Sequence, residues 1–249
     1  MDVTIYHKKI SYACKYADKV IAISEQTKSD IIEFYKTPPE KISVCYQSCH
    51  PSFGMTVNEE NKAVIAAKYN LPSSFYLNVG SIIERKNLLS ICKAMTQMKN
   101  RIPLVVIGNG KMYKNVVKEF IRNNGLEDRI IFLSEHSPRP IFEDLPAIYQ
   151  SAVAMIYPSR FEGFGIPVLE ALFSKLPVIT SNVSCLPETG GDAALYIDPN
   201  SPEEIAHAMN KVLLDQILVE SMKVKGWLYA QNFTPEKCSS SVMDVYRSL

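Results

Sequence analysis

The chain has 249 residues, of which 47% are hydrophobic and 21% charged, so it is long enough to bury a full core as a soluble globular protein. Its net charge of +1, from 27 basic and 26 acidic residues, gives no electrostatic reason to expect nucleic acid as a partner. No apolar run approaches the roughly 20 residues that span a bilayer, and the first residues lack the layout of a signal peptide.

The six cysteines are scattered without the spacings of a disulfide framework. In a chain of this length they are expected to be reduced thiols of a cytoplasmic protein. Cys45, Cys49 and His50 form a cluster that could be tested as metal ligands. Structural zinc needs four ligands, however, and no second Cys/His pair follows. The sequence therefore predicts no metal site.

The first 55 residues contain too few predicted strands for an independent sheet domain. They predict a strand at 19–23, a helix at 25–35 and a second strand at 41–46. A polar segment with proline and glycine follows at 47–60 and is typical of a linker. Residues 1–55 are interpreted as a remnant of an N-terminal domain, whose earlier strands lie outside this sequence, together with that linker.

From about residue 70 onward, short β-rich runs alternate with amphipathic stretches, the pattern of a parallel sheet covered by helices. The predicted strands are 75–79, 103–107, 129–133, 153–157, 177–180 and 194–197, and the helices between them are 87–98, 111–124 and 166–174. Each strand is nearly all apolar, as expected when both faces of the sheet are buried. The fold class predicted for residues 56–232 is therefore α/β, with a Rossmann-like, doubly wound parallel sheet.

Beyond residue 199 the pattern becomes helical. Ser201, Pro202 and Glu204 form a capping box with proline at the first helical position. Helices are predicted from there to about residue 214, at 216–231 and from 235 to the end. Residues 233–249 are treated as a separate C-terminal helix.

The sharpest motif is the segment 158–170, which directly follows a predicted strand. Gly163 and Gly165 permit a tight turn at which a ligand can approach the backbone, and Pro167 suits the first turn of a helix. A helix N-terminus offers free N–H groups and a partial positive charge. Both suit the diphosphate of a nucleotide sugar.

Two acidic residues stand at different depths in this motif. Glu162 belongs to the loop, whereas Glu170 lies about one turn inside the predicted helix. The pair could hold two sugars, the transferred hexose and the nucleotide ribose. The alternative is an ordinary strand-to-helix turn with two solvated acids, because short motifs occur by chance.

A second motif follows the predicted strand 75–79 and contains Gly80, Ser81, Arg85 and Lys86. Open α/β sheets bind ligands at the carboxyl ends of their strands. Arg85 can hold phosphate oxygens bidentately and Lys86 supplies a compact charge, so the two could neutralise a departing diphosphate without a metal. The alternative is a solvated run of charges at a helix start.

Gly108 and Gly110 follow the next strand and could begin a dinucleotide fingerprint, but Tyr113 occupies the third glycine position. The two glycines are interpreted as a turn that lets the chain pass close to a bound nucleotide. A nucleotide-dependent oxidoreductase remains an alternative. His136, at the end of the following strand, is a candidate contact in the same crevice.

Spread over most of the chain, these motifs resemble family 4 of the retaining glycosyltransferases, which have the two-domain GT-B fold. Residues 17–24 resemble the penultimate strand of the family's N-terminal domain and its following helix, and residues 39–42 resemble the lead-in to its last strand. Glu162 and Glu170 match the family's pair of glutamates separated by seven residues, in which Glu170 would hold the ribose hydroxyls. Further matches are residues 186–188, 191–194 and 233–236, the last being the start of a crossover helix.

The resemblance implies that the protein transfers a hexose from a nucleotide sugar with retained anomeric configuration, without a metal or another cofactor. Carried over by position, Arg85 and Lys86 would bind the donor diphosphate and form the catalytic group together with Glu162. Glu162 would contact the transferred sugar, helped by backbone N–H groups around Phe164 and Gly165.

The sequence departs from the family pattern in two places. The family commonly has arginine directly after the glycine of the first loop, where this chain has Ser81. Arg85 is expected to substitute for it, as in members that resemble O-antigen mannosyltransferases with an Arg-Lys-Asn triplet, which favours GDP-mannose as the donor. Residues 173–175 replace a small Ala-Cys-Gly stretch at a helix end, where altered packing without loss of donor binding is expected.

The acceptor is expected to be a glycan or a lipid-linked sugar bound through the N-terminal domain, with peripheral membrane association of the full-length protein. Because GT-B catalysis takes place in the cleft between two domains, the present chain is expected to bind the donor and to transfer little. A non-catalytic nucleotide-sugar-binding module is the alternative.

Overall fold

The structure, a computed structural model, describes residues 3–249. Its N-terminal unit consists of helix α1 (Val3–Tyr16), strand β1 (Val20–Ala22), helix α2 (Glu25–Tyr35) and strand β2 (Ile42–Val44). The two strands pair in parallel, with Val20 opposite Ile42. Ser24 caps α2, because its side chain accepts a hydrogen bond from the backbone N–H of Thr27. The two strands and the helix predicted here are confirmed.

A larger α/β unit follows. Its strands are Tyr76–Val79 (β3), Leu104–Ile107 (β4), Ile130–Phe132 (β5), Ala154–Tyr157 (β6), Val178–Ser181 (β7) and Leu195–Ile197 (β8). The helices are Glu59–Tyr69 (α3), Leu88–Thr96 (α4), Met112–Asn123 (α5), Leu145–Ser151 (α6), Ile166–Phe173 (α7), Leu186–Gly190 (α8), Pro202–Leu214 (α9), Gln216–Ala230 (α10) and Pro235–Arg247 (α11). The predicted strands and helices are confirmed, with ends that differ by about one or two residues.

The strands of the larger unit form a six-stranded parallel sheet in the order β5-β4-β3-β6-β7-β8. Tyr76 of β3 pairs with Leu104 of β4 on one side and with Ala154 of β6 on the other. The chain thus builds one half of the sheet from β3 outward and then returns to begin the other half at β6. This is the doubly wound arrangement predicted from the sequence.

Successive residues of the central strands enter two different hydrophobic cores, one on each face of the sheet. In β3, Tyr76 belongs to the core that includes α4 and α9, whereas Leu77 belongs to the core that includes α7. In β6, Ile156 and Met155 divide in the same way. Because side chains alternate along a strand, covering both faces requires the nearly continuous apolar runs seen in the sequence.

The segment 47–60 was predicted as a polar linker, but helix α3 begins inside it, at Glu59, and the aromatic ring of Phe53 anchors the segment to the larger unit. Phe53 is fully buried, and its ring centroid lies 5.0 Å from that of Tyr149. The Ser174 hydroxyl donates to the Phe53 carbonyl at 3.3 Å. Phe53 alternates in the sequence with Met55, which is exposed, and Val57, which is half-buried, so no local pattern identifies Phe53 as the residue that anchors the segment.

The last helices bring the chain back toward its beginning. Phe233, just before α11, packs against Tyr46, which follows β2, with ring centroids 5.3 Å apart. Within residues 3–249, no helix combines the length and apolar character needed to cross a membrane.

Candidate functional site

The candidate site lies where the strand order of the sheet reverses. β3 and β6 are neighbours, but the chain leaves β3 toward β4 and leaves β6 toward β7, so the loops that follow them diverge. In open α/β sheets such a divergence makes a crevice at the carboxyl ends of the strands, where ligands bind. The two loops, residues 80–87 and 158–165, contain the motifs found in the sequence.

Arg85, Lys86 and Glu162 meet in this crevice as an ion cluster. Glu162 Oε1 lies 2.6 Å from Lys86 Nζ, and Glu162 Oε2 lies 2.8 Å from Arg85 Nη1. The hydroxyl of Tyr157, at the end of β6, donates to Glu162 Oε1 at 3.1 Å and accepts from Lys86 Nζ. Arg85 also donates to the Phe161 carbonyl. The structure thus brings together residues from two motifs that are separate in the sequence.

Burial and charge together set the protonation of the cluster. Burial alone would raise the pKa of Glu162, but hydrogen bonds from Lys86 and Arg85 outweigh it and hold that pKa below its ordinary value. Burial lowers the pKa of Lys86, and the contacts with Glu162 offset part of this effect. Burial, followed by the neighbouring Glu162 carboxylate, raises the pKa of Tyr157. Two cations sharing one carboxylate leave a net positive charge, which favours an anionic ligand.

Buried hydrogen bonds fasten the loop after β3 to the loop after β6. Asn87 is 1% exposed, and its Nδ2 donates to the carbonyls of Pro158 at 3.1 Å and Pro199 at 2.6 Å. Its φ of 60° is left-handed, a conformation that asparagine tolerates better than most residues. The backbone N–H of Arg160 donates to the Arg85 carbonyl at 2.9 Å. These contacts fix the two cations relative to Glu162.

The loop that carries Glu162 is fixed from its own side as well. The Glu162 N–H donates to Ser184 Oγ at 3.2 Å, and Ser184 Oγ lies 2.8 Å from the Glu162 carbonyl, to which it can donate. Gly165 has a φ of 101°, which favours glycine. α7 begins at the next residue, with Pro167 in its first turn. The N-terminus of α7 therefore stands directly after the loop, as the motif predicted.

The two glycines of the loop after β4 are required by close packing against the backbone of the loop after β3. A Cβ atom on Gly108 would lie 1.8 Å from the Gly80 carbonyl oxygen, and one on Gly110 would lie 2.2 Å from the Ile82 carbonyl oxygen. The Ile82 N–H also donates to the Asn109 carbonyl at 2.8 Å. Contact between these loops explains the Gly-x-Gly pattern without a nucleotide, and a nucleotide contact of the glycines stays a prediction.

Glu170 has a different environment from Glu162. Its Oε2 accepts a hydrogen bond from the Tyr149 hydroxyl at 2.6 Å. Burial raises the pKa of Glu170 to about 7, although the bond from Tyr149 lowers it in part. A carboxyl group with this pKa is partly protonated near neutral pH. Its contact with a ribose stays a prediction.

Ser81 and His136 are both exposed. Ser81 follows Gly80 at the end of β3. The backbone N–H of His136 donates to the Leu133 carbonyl at 3.1 Å, in the loop after β5, and β4 separates β5 from β3. His136 therefore lies two strands away from the ion cluster, and its role as a donor contact stays a prediction.

The sequence assigned no role in the site to Tyr157, Ser184 or Asn87, although Asn87 completes the Arg-Lys-Asn triplet. Tyr157 had a usable signal, because it is a polar aromatic residue at the end of a buried strand, directly before the sharpest motif. Asn87 and Ser184 act through contacts that join distant segments. No local pattern reports such contacts.

Among residues 3–249, no group of three His, Cys, Asp or Glu side chains could hold a metal ion. Cys45 is buried, and His50 Nδ1 lies 2.8 Å from Ser52 Oγ. The Cys45, Cys49 and His50 set considered from the sequence is therefore not such a group.

Comparison with known proteins identifies the family of the chain. Residues 61–227 match the family described as Glycosyl transferases group 1, which covers more than half of the chain and includes both loops of the crevice. The chain belongs to this family.

Two curated relatives are mannosyltransferases by name. O-antigen chain mannosyltransferase B of Escherichia coli is 29% identical over 252 residues, which cover 99% of this chain and 65% of the relative. O-antigen chain mannosyltransferase RfbU of Salmonella typhimurium is 29% identical over 199 residues, covering 80% of this chain and 51% of the relative. The chain thus spans about half to two thirds of the length of these relatives.

A solved structure shows the shared fold. Anabaena Alr3699/HepE, in complex with UDP and glucose, superposes with a TM-score of 0.88 at 18% identity, covering 100% of this chain and 68% of that one. The chain therefore has the fold of the GT-B glycosyltransferases.

Proposed function

We propose that the protein is a retaining, metal-independent family 4 glycosyltransferase that transfers a hexose from a nucleotide sugar to a glycan or lipid-linked acceptor. The observation that carries the proposal is the ion cluster of Arg85, Lys86 and Glu162 at the carboxyl ends of β3 and β6. GDP-mannose is the proposed donor, supported by the names of two relatives.

In this proposal the two cations hold the donor diphosphate. When the bond between the sugar and the diphosphate breaks, the electron pair leaves with the diphosphate. Arg85 can bind its oxygens bidentately, while Lys86 adds a compact charge. Positive groups fixed in advance where negative charge develops are an effective source of rate enhancement. The N-terminus of α7 adds a further partial positive charge beside the same loop.

When the donor binds, its diphosphate competes with Glu162 for Arg85 and Lys86. Its carboxylate holds both cations at 2.6 and 2.8 Å, so an arriving diphosphate must share or replace it. The displaced carboxylate remains next to the diphosphate, where it can accept hydrogen bonds from sugar hydroxyls. Glu170 would then hold the ribose from inside α7.

The acceptor and the cellular location belong to the same proposal. The acceptor would bind through the part of the protein that forms the other wall of the cleft, with peripheral membrane association when the acceptor is lipid-linked. A cytoplasmic location is supported by the free cysteines of the described chain, because such thiols are typical of reducing compartments.

A thermal-shift panel of GDP-mannose, UDP-glucose, UDP-GlcNAc and ADP-glucose tests donor binding. A ligand at 100 times its dissociation constant should add about 2.7 kcal/mol of stability, and we expect GDP-mannose to give the largest shift. Lys86→Ala should abolish the shift. Lys223→Ala, which breaks an exposed pair with Glu220 in α10, should leave it unchanged. No shift with any of the four donors would contradict the proposal.

Turnover is a separate test. We expect this chain to bind the donor but to transfer sugar slowly, because catalysis in the GT-B fold needs both walls of the cleft. Release of GDP from GDP-mannose in the presence of a simple mannoside acceptor measures this. Rapid transfer by the chain alone would contradict the expectation.

A further inference from the structure

Helix α2 of the N-terminal unit begins against the loop that carries Glu162. The hydroxyls of Ser24 and Thr27, in the first turn of α2, lie 2.8 and 3.3 Å from the Gly163 carbonyl oxygen. Ser24 is fully buried at this contact. A Cβ atom on Gly163 would lie 3.0 Å from Ile23 Cδ1, so the two segments pack closely. The residue next to Glu162 is therefore tied to a different unit of the protein.

Glu188 of α8 completes the contact from the other side. Its Oε2 accepts from the backbone N–H of Glu25 at 2.7 Å, and its Oε1 accepts from that of Gln26 at 2.8 Å. These are N–H groups that the first turn of a helix leaves without a helical partner, and a carboxylate there is favoured by the helix dipole. The Tyr229 hydroxyl donates to the Glu188 carbonyl at 2.7 Å and so fixes the position of this residue.

An aromatic contact supports the same loop. The ring of Tyr46, directly after β2, lies 5.7 Å from the ring of Phe164, two residues beyond Glu162. Phe233 packs against both rings, at 5.3 and 5.5 Å. The N-terminal unit thus holds the loop through hydrogen bonds at Gly163 and through packing at Phe164.

We propose that Ser24, Thr27 and Glu188, here called the α2 clasp, are positioning residues for the donor site. Ser24 and Thr27 bond the Gly163 carbonyl, while Glu188 holds the N-terminus of α2 that carries them; together they hold Glu162 in register with Arg85 and Lys86. They act on the donor through the backbone of the loop. The inference rests on the proposed function only for the identity of the ligand. It predicts that the N-terminal unit and donor affinity are energetically coupled.

Thr27→Val tests the clasp sharply, because it removes one hydroxyl while keeping side-chain shape and leaves the Ser24 cap of α2 in place. Glu188→Gln is a second variant that removes the charge at the helix N-terminus. Thr96→Val is the matched control, since the Thr96 hydroxyl donates to the Lys93 carbonyl at 2.7 Å inside α4. Thr27→Ser changes the side chain but keeps the hydroxyl, and serves as the conservative variant.

Two measurements are made on each variant: amide hydrogen exchange of residues 162–165, and calorimetric titration with GDP-mannose. In both clasp variants, we expect loop exchange to accelerate and affinity to fall by about three- to tenfold, the factor for one lost hydrogen bond. Thr96→Val and Thr27→Ser should match the wild type. Clasp variants that match Thr96→Val in both measurements would overturn the inference.

The two proposals fail separately. If the clasp variants show faster exchange in the loop but the protein binds no nucleotide sugar, the positioning role of the clasp stands and the proposed donor is wrong. Donor binding by the wild type with no effect of Thr27→Val or Glu188→Gln on either measurement would keep the function and reject the clasp.

Discussion

Replacing Glu162 by glutamine is expected to destabilise the fold and, at the same time, to strengthen binding of GDP. The change keeps the size of the side chain and removes the charge that Lys86 and Arg85 share. In the ligand-free variant, Lys86 keeps its charge in a poorly solvated position with neutral oxygens around it. Its pKa, already lowered by burial, should fall further.

The size of the expected loss of stability follows from how exposed the ion-paired side chains are. Breaking a buried ion pair costs about 3–5 kcal/mol, whereas an exposed pair contributes about 0–1 kcal/mol. The side chains of Lys86 and Glu162 are 15% and 9% exposed, so their pair is close to the buried limit. Arg85 is 39% exposed, and water screens its pair. We expect the free energy of unfolding at pH 7 to fall by about 2–3 kcal/mol.

The difference in unfolding free energy between the wild type and Glu162→Gln should disappear in acid. The pKa of folded Glu162 lies below its ordinary value, which is about 4.3 for a glutamic acid side chain. A depressed pKa contributes stability that is present above the ordinary value and is lost as pH falls through the folded pKa. At lower pH the wild-type carboxyl is neutral, as glutamine is. The two unfolding free energies should therefore begin to approach each other below about pH 4.3 and become equal once the pH lies below the folded pKa of Glu162.

Urea unfolding across this pH range measures the stability difference, and calorimetric titration measures GDP affinity. GDP should bind Glu162→Gln about three- to tenfold more tightly, because the cations no longer share a carboxylate. The control is Glu135→Gln, which removes a carboxylate that lies 2.7 Å from both Lys114 and Lys118, away from the crevice. This control should lose stability without a change in GDP affinity. Equal stability at pH 7, or weaker GDP binding by Glu162→Gln, would refute the reasoning.

Three further predictions concern residues around the cluster. Asn87→Ala should weaken GDP-mannose binding in calorimetry and cost about 2 kcal/mol or more of stability, because it loses buried hydrogen bonds and strains a left-handed backbone; Asn87→Gly should recover only the backbone part. Gly108→Ala should lower the free energy of unfolding by about 1–3 kcal/mol in urea, because its Cβ would lie 1.8 Å from the Gly80 carbonyl oxygen, and a neutral result would contradict that geometry. Glu170→Ala should weaken GDP and GDP-mannose equally, by about 1.5–3 kcal/mol. Because the pKa of Glu170 is raised to about 7, wild-type GDP affinity should fall as pH drops below that value. Glu170→Gln should lack this dependence.

The regular elements of the fold could be predicted because each carries a local signal. β6 consists of three apolar residues followed by Tyr157, and all four are buried; the apolar run in the sequence indicates this burial directly. α2 was predicted with its observed bounds, and the structure shows Ser24, directly before it, as its N-cap. Phe53 shows the limit of such reasoning, because it alternates with the exposed Met55 and the half-buried Val57, and nothing in the local sequence tells which of the three is buried.

The site was predictable as two loops but not as one cluster. The sequence placed Arg85 and Lys86 on a diphosphate and Glu162 on a sugar, each from its own motif. Residues 76 or 77 positions apart came into contact because β3 and β6 are adjacent in the sheet, and strand order is a property of the whole chain.

Contacts between the N-terminal unit and the larger unit were even harder to predict from local sequence patterns. The bonds of the α2 clasp join residues 136 to 163 positions apart. Ser24 shows why such bonds are invisible in the sequence, because its role as a helix cap already accounts for the serine there. Its hydroxyl nevertheless also reaches the Gly163 carbonyl, so one residue serves both the local helix and the distant loop. A residue whose local role is fully explained can therefore still carry a functional contact, and only the geometry of the folded chain separates the two roles.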